Sequence, residues 1–142
     1  MLVQSYLFFD GRCDEAIAFY RGALDAEVMM LLRFKDNPEP EKSGGITPGT
    51  EDKVMHAQMR IGDTEIMLSD GRCTGQPNFQ GSALAVTVAD EAEAERRFAA
   101  LADGGQVTMP LAKTFFSPRF GMLTDRFGVS WMILVQAATG HA

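Results

Sequence analysis

One order of elements, strand, helix and then three strands, occurs twice in this chain. The helices carry the signal. Over about Asp14 to Leu24, the residues Ala16, Ile17, Phe19, Tyr20, Ala23 and Leu24 recur at helical spacing, which predicts an amphipathic helix with that stripe buried. At Asp90 a second helix begins. Glu93 stands three residues on, a capping-box spacing with Asp as the cap, and Ala94, Phe98 and Leu101 form the stripe. Gly104-Gly105 ends it, as a left-handed C-terminal turn favours glycine. Leu2 to Phe9, closed by Asp10-Gly11, and Ser82 to Val88 read as the strands that precede the helices. Glu27 to Phe34 and a hairpin from His56 to Asp70 follow the first helix. Gln106 to Leu111, stopped around Pro110, and a hairpin of Phe120–Thr124 with Val129–Val135 follow the second. The helices lie about 76–78 residues apart, so the repeat is one of architecture rather than of residues. The expectation is an α+β fold of two βαβββ modules, module one about 1–70 and module two about 82–136. At 142 residues a single compact domain is the default, large enough to bury roughly 68–70% of its unfolded surface.

The first hairpin, HAQMRIGDTEIMLSD, turns at Gly62-Asp63. Side chains alternate along a strand. A symmetric pairing about the turn therefore sets Gln58 opposite Met67 and His56 opposite Ser69 on one face, with Met59, Ile66 and Leu68 on the other. One face suits a core and the other a ligand cleft. In the preceding strand, Gln4, Tyr6 and Phe8 share a face. Arg60 and Glu65 are expected to pair across the hairpin, with little effect on stability.

The net charge of −6 and pI near 4.8 argue against nucleic acid as a partner, because phosphate binding needs a basic face. Lys and Arg are scattered, with no block to hold an anionic membrane, and no run approaches the ~18 apolar residues of a membrane span. MLVQSYLFFDGR has neither a basic start nor a long apolar segment, unlike a signal peptide. Cys13 and Cys73 lack metal-ligand spacing and are expected as reduced thiols in a cytoplasmic protein. Asp36 to Asp52 holds three prolines and three glycines; it reads as a solvated loop or as a flap over the cleft. Gly71 to Gly81 is a second polar connector. DGRC occurs at 10–13 and again at 70–73. That spacing does not match the module offset, so the reading is coincidence, with Asp-Gly forming a turn in both places.

Three stretches, YLFFDGRCDEAIAFY (Tyr6–Tyr20), IGDTEIMLSD (Ile61–Asp70) and DRFGVSWMI (Asp125–Ile133), resemble the vicinal-oxygen-chelate superfamily of glyoxalase I, extradiol dioxygenases and bleomycin-resistance proteins. Within it the chain looks most like the PhnB-like, or 3-demethylubiquinone-9 3-methyltransferase-like, branch. The resemblance implies one glyoxalase/bleomycin-resistance-like domain over 1–142, with curved mixed sheets around a cleft, helices on the convex side, and a homodimer. Many members of the superfamily hold a divalent metal with His, Gln or Glu from the first and last strands of each module. Those positions fall here at Gln4, Met67, Leu84 and Met132. One amide oxygen is far short of the donors that a hard or borderline cation needs, so no metal and no cofactor is expected. The methyltransferase label is likewise not matched by a glycine-rich turn in a doubly wound sheet.

The residues expected to line the cleft are Gln4, Tyr6, His56, Gln58, Met67, Ser69, Leu84 and Met132, with Val86 and Leu134 beside them. A largely apolar lining with a few polar handles is the usual makeup of a small-molecule pocket. The nine methionines serve as core filler or as an adaptable wall for a bulky ligand. Histidine ordinarily titrates near neutral pH, so His56 reads as a structural or ligand-contacting residue, or as a general base with Tyr6 and Asp70. Cys13 sits at a helix start, where a thiol pKa can fall, although burial is the plainer reading. Arg119 is a candidate counter-charge for an anionic ligand. The leading expectation is a metal-independent homodimer that binds a small apolar or aromatic molecule between the modules or at the dimer. The alternatives are an enzyme using His56, Tyr6 and Asp70, or a metal-dependent lyase or dioxygenase with other ligands.

Overall fold

The computed structural model describes residues 1–40, 47–73 and 76–136. The middle of the 36–52 loop, Gly75 and the tail with His141 lie outside the described residues. The chain divides into two compact units, Met1–Asn78 and Phe79–Ala142. Among the described residues no helix is long and apolar enough to cross a membrane.

The first unit is β1 (Tyr6–Phe8), α1 (Cys13–Leu24), β2 (Glu27–Arg33), β3 (Val54–Ile61) and β4 (Thr64–Ser69). Its sheet runs β1-β4-β3-β2, with β1 parallel to β4 and the other pairs antiparallel. Ala57, Met59, Ile66, Leu68 and Leu7 are buried on one face, and α1 packs there against β3. Cys13, Ala16, Ile17, Tyr20, Ala23 and Leu24 form the buried stripe of α1. Phe19, expected in it, is only half-buried. Asp25, at φ 53°, closes the helix in the left-handed region.

β1 starts later than its sequence suggests. Met67 still donates to the Ser5 carbonyl at 3.0 Å, but further back the parallel partner has reached the Gly62-Asp63 turn and offers no ladder. Met1, Leu2 and Val3 are left exposed. The hairpin itself folds as its symmetry requires, with Ile61 opposite Thr64 and Gln58 opposite Met67. Arg60 lies opposite Glu65, yet its ion pair is with Glu27 at 2.6 Å, across the β2–β3 seam.

The second unit repeats the order as β5 (Leu84–Val88), α2 (Glu91–Ala102), β6 (Gln106–Ala112), β7 (Phe120–Thr124) and β8 (Ser130–Val135). Its sheet order is β5-β8-β7-β6, again with the first pair parallel. Asp90 caps α2 by accepting from the Glu93 N–H at 2.8 Å, whereas Glu93 reaches back to the Ala89 N–H rather than to the cap residue's own. Pro110 lies within β6 rather than ending it. β6 is an edge strand, where a missing N–H is tolerated, and the register breaks between Met109 and Ala112. Gly121 on β7 admits the Phe98 ring: a Cβ there would lie 2.7 Å from Phe98 Cε2.

Each hairpin end is organised by a buried carboxylate. Asp125 accepts from the Phe127 and Val129 N–H groups through Oδ1 and from the Trp131 indole through Oδ2 at 2.8 Å. Asp70 is fully buried. Its Oδ1 accepts from the Gly11 and Cys13 N–H groups at 2.9 and 2.7 Å, and Oδ2 from Val54 at 2.7 Å. One side chain therefore ties the end of β4 to the start of α1 and the start of β3. The two DGRC segments consequently meet, because they follow neighbouring parallel strands, and they do different work. Asp70 binds the backbone of the first, whereas Asp10, at φ 56°, accepts from the Gln76 N–H at 3.3 Å.

Candidate functional site

The open face of the first sheet carries the candidate site. By register Tyr6 stands beside Met67, Met67 opposite Gln58, and Gln58 opposite Met30. One level along, Phe8 pairs with Ser69 and His56 with Leu32. Tyr6 and His56 come from strands separated by β4, so their side chains reach toward each other across it. The Tyr6 hydroxyl lies 2.9 Å from His56 Nδ1, and the rings stack 5.5 Å apart at 28°. The Phe8 ring also lies 4.8 Å from the Tyr6 ring, tilted by 33°. Phe8, Tyr6 and His56 thus form a continuous aromatic strip.

A phenol is the stronger donor and a neutral imidazole nitrogen the stronger acceptor; with Tyr6 as the donor to Nδ1, the neutral ring carries its proton on Nε2. Gln58 Nε2 donates to Glu65 Oε1 and Gln4 Nε2 to the Glu65 carbonyl, both at 3.3 Å. Ser69 is buried, and its hydroxyl accepts from the Gly71 N–H.

Asp70 does not join His56. Its oxygens accept from three backbone N–H groups instead. Leu84 is also displaced from the expected lining. It pairs in parallel with Trp131, whereas Met132 pairs with Ala85. Neighbours in a sheet share a face, so Leu84 and Val86 lie with the buried Trp131 and Ile133, and Met132 and Leu134 face the other way. Met132 instead lines up with Met122 and Met109 across three strands.

Arg119 is committed to Glu91 at 3.3 Å and Glu95 at 2.8 Å, so it is not a spare counter-charge. Phe115 is fully exposed; Phe116 meets Phe120 edge to face at 5.1 Å. Cys13 is buried. Burial first, then the Asp70 charge, pushes its thiol pKa upward, not downward as a helix start would. Cys73 is raised for the same two reasons. Both thiols are therefore poor nucleophiles.

Gln4, Met67, Leu84 and Met132 offer one amide, two thioethers and a hydrocarbon. Only the Gln4 amide oxygen is a donor suited to such a cation, and Leu84 and Met132 face opposite ways. This set does not fit a divalent metal. A helix N-terminus free to take a nucleotide-like cofactor is also missing after β1, since the Gly11 and Cys13 N–H groups are held by Asp70.

Residues 2–134 match the family described as 3-demethylubiquinone-9 3-methyltransferase. The chain belongs to that family. It is 35% identical to protein YjdN of Escherichia coli K12 over 142 residues, 95% of each chain. The crystal structure of protein PA1353 from Pseudomonas aeruginosa superposes with a TM-score of 0.82 at 38% identity, covering 96% of this chain and 98% of that one. A Bacillus cereus structure described as a putative 3-demethylubiquinone-9 3-methyltransferase, PhnB protein, gives 0.78 at 31%, covering 95% and 99%. The PhnB-like branch and the vicinal-oxygen-chelate fold, both read from three short stretches, hold.

Phe8, in contact with the Tyr6 ring, is absent from the expected lining. Phe8 was placed on the face of Tyr6 by alternation alone, so its signal was present.

Proposed function

We propose that this PhnB-like protein binds a small aromatic molecule on the open face of the first sheet, without a metal. The aromatic strip of Phe8, Tyr6 and His56, with Met67 and Gln58 beside it, supports this reading. Stacked rings on a half-exposed sheet face offer a π-surface, and His56 Nε2–H offers one directed donor. The methyltransferase description is not followed, because the two four-stranded mixed sheets contain no doubly wound cofactor crevice. A second reading is proton transfer by the Tyr6–His56 pair on the same ligand, favoured by their 2.9 Å contact.

A thermal-shift screen of small aromatic compounds, followed by assays for turnover of the best binder, tests both. Saturable binding lost in His56→Ala with no turnover supports the binder. Turnover lost in His56→Ala replaces it with the enzyme, and stoichiometric tight uptake of Ni, Zn, Mn or Fe would overturn the metal-free reading. The proposal includes a homodimer, since Met29, Met30 and Leu32 of β2 and Val107 and Met109 of β6 expose apolar surface that a second copy would cover. Sedimentation equilibrium at a monomer mass would remove it.

A further inference from the structure

The aromatic strip ends at Phe8, and Phe8 is also a wall of a cavity of about 320 Å³, the small end of the range for ligand pockets. Gly71 and Pro77 complete the apolar side, and Asp10, Arg72, Gln76 and Asn78 the polar side. Gly71, at φ 57°, lets the Phe8 ring lie close: a Cβ there would sit 3.2 Å from Phe8 Cδ1.

Arg72, like Arg21 and Arg96, makes no ion pair among the described residues, and unlike them it lines this cavity. Arg12 is matched by Glu15, Arg33 by Asp14, Arg60 by Glu27, Arg119 by Glu91 and Glu95, and Arg126 by Asp103. Arg72 is exposed. A free guanidinium holds a carboxylate through two parallel N–H donors. Asp10 brings one negative charge to the same lining, already accepting from the Gln76 N–H. One cation beside one carboxylate suits a singly charged anion better than a dianion.

We propose that this cavity receives the carboxylate of a small aromatic monocarboxylate, with Arg72 binding the carboxylate and Phe8 stacking on the ring. The inference rests on the aromatic-ligand reading above for the ring, and on Arg72 alone for the charge.

The test titrates the full chain with 3-phenylpropionate and with its neutral counterpart 3-phenylpropan-1-ol, followed by calorimetry and by the Phe8 and Tyr6 ring signals in NMR. The carboxylate is expected to bind about tenfold tighter than the alcohol, as a charge-assisted bidentate contact allows. In Arg72→Gln the two should bind alike, with the alcohol's affinity unchanged. Equal binding in the wild type, or a preference that survives Arg72→Gln, overturns the carboxylate assignment and leaves the aromatic site standing. If neither compound moves the Phe8 and Tyr6 signals, the aromatic-ligand reading itself fails, and this proposal with it.

Discussion

The Tyr6 hydroxyl hydrogen-bonds His56 Nδ1 across an intervening strand, at 2.9 Å with the rings stacked. The bond fixes the imidazole's orientation and its tautomer together. Tyr6→Phe keeps the ring and removes the bond. It is expected to cost about 0.5–1.5 kcal/mol of stability, the usual net value of such a bond. In the wild type, imidazole nitrogen NMR shifts should report an Nε2–H tautomer, and in the variant a mixture. An unchanged tautomer in Tyr6→Phe would mean the hydroxyl is not what holds it.

Asp70 ties three backbone positions of the first unit together. Asp70→Ala strands three backbone N–H groups, two of them at fully buried contacts, with an expected loss of about 3–5 kcal/mol by urea denaturation. Asp70→Asn should cost less, because one carbonyl oxygen remains as an acceptor. A loss below about 1 kcal/mol for Asp70→Ala would contradict this role.

Trp131→Phe removes the indole donor from Asp125 while filling most of the space. The buried Asp125 Oδ2 loses its 2.8 Å partner, for an expected cost of about 1–3 kcal/mol. The double variant Trp131→Phe with Asp125→Asn should lose less than the sum of the singles, as coupled neighbours do. Strict additivity in a double-mutant cycle would separate the two residues.

Cys13 links stability to alkaline pH. Burial and the Asp70 charge raise its thiol pKa in the folded chain. As pH rises past the ordinary thiol value of 9.0, the unfolded chain releases a proton that the folded chain keeps. Stability then falls with increasing pH. Urea midpoints for the wild type should decline above that point more steeply than those for Cys13→Ala, and the Cys13 thiol should resist modification until the protein unfolds. Parallel declines would show that other groups carry the alkaline loss.

The doubled βαβββ order was legible because helical stripes and strand alternation are local properties. The pairing of Gln58 with Met67 followed from a two-residue turn and a period of two. Tyr6 and His56 were both placed on the right face, since alternation needs no partner. Leu84 was not. Its strand, SALAVTV, is apolar at most positions, so alternation leaves its face open, and only the parallel register beside Trp131 decides it. Asp70 reads as one candidate partner for His56 because a sequence cannot show that its carboxylate already accepts from Gly11, Cys13 and Val54.

Hydrophobic periodicity, caps and turn residues, each acting over a few positions, determined by themselves the modules, the two helix stripes and the hairpin faces. Only the tertiary structure decided which charges are spent and which remain. Arg119, Arg60 and Asp70 are each neutralised or held by residues distant in sequence, whereas Arg72 meets no carboxylate among the described residues and faces a cavity beside Phe8. The physical reason is range. Backbone geometry repeats within a turn or a strand, but a charge is balanced by whatever the fold brings within a few ångströms of it.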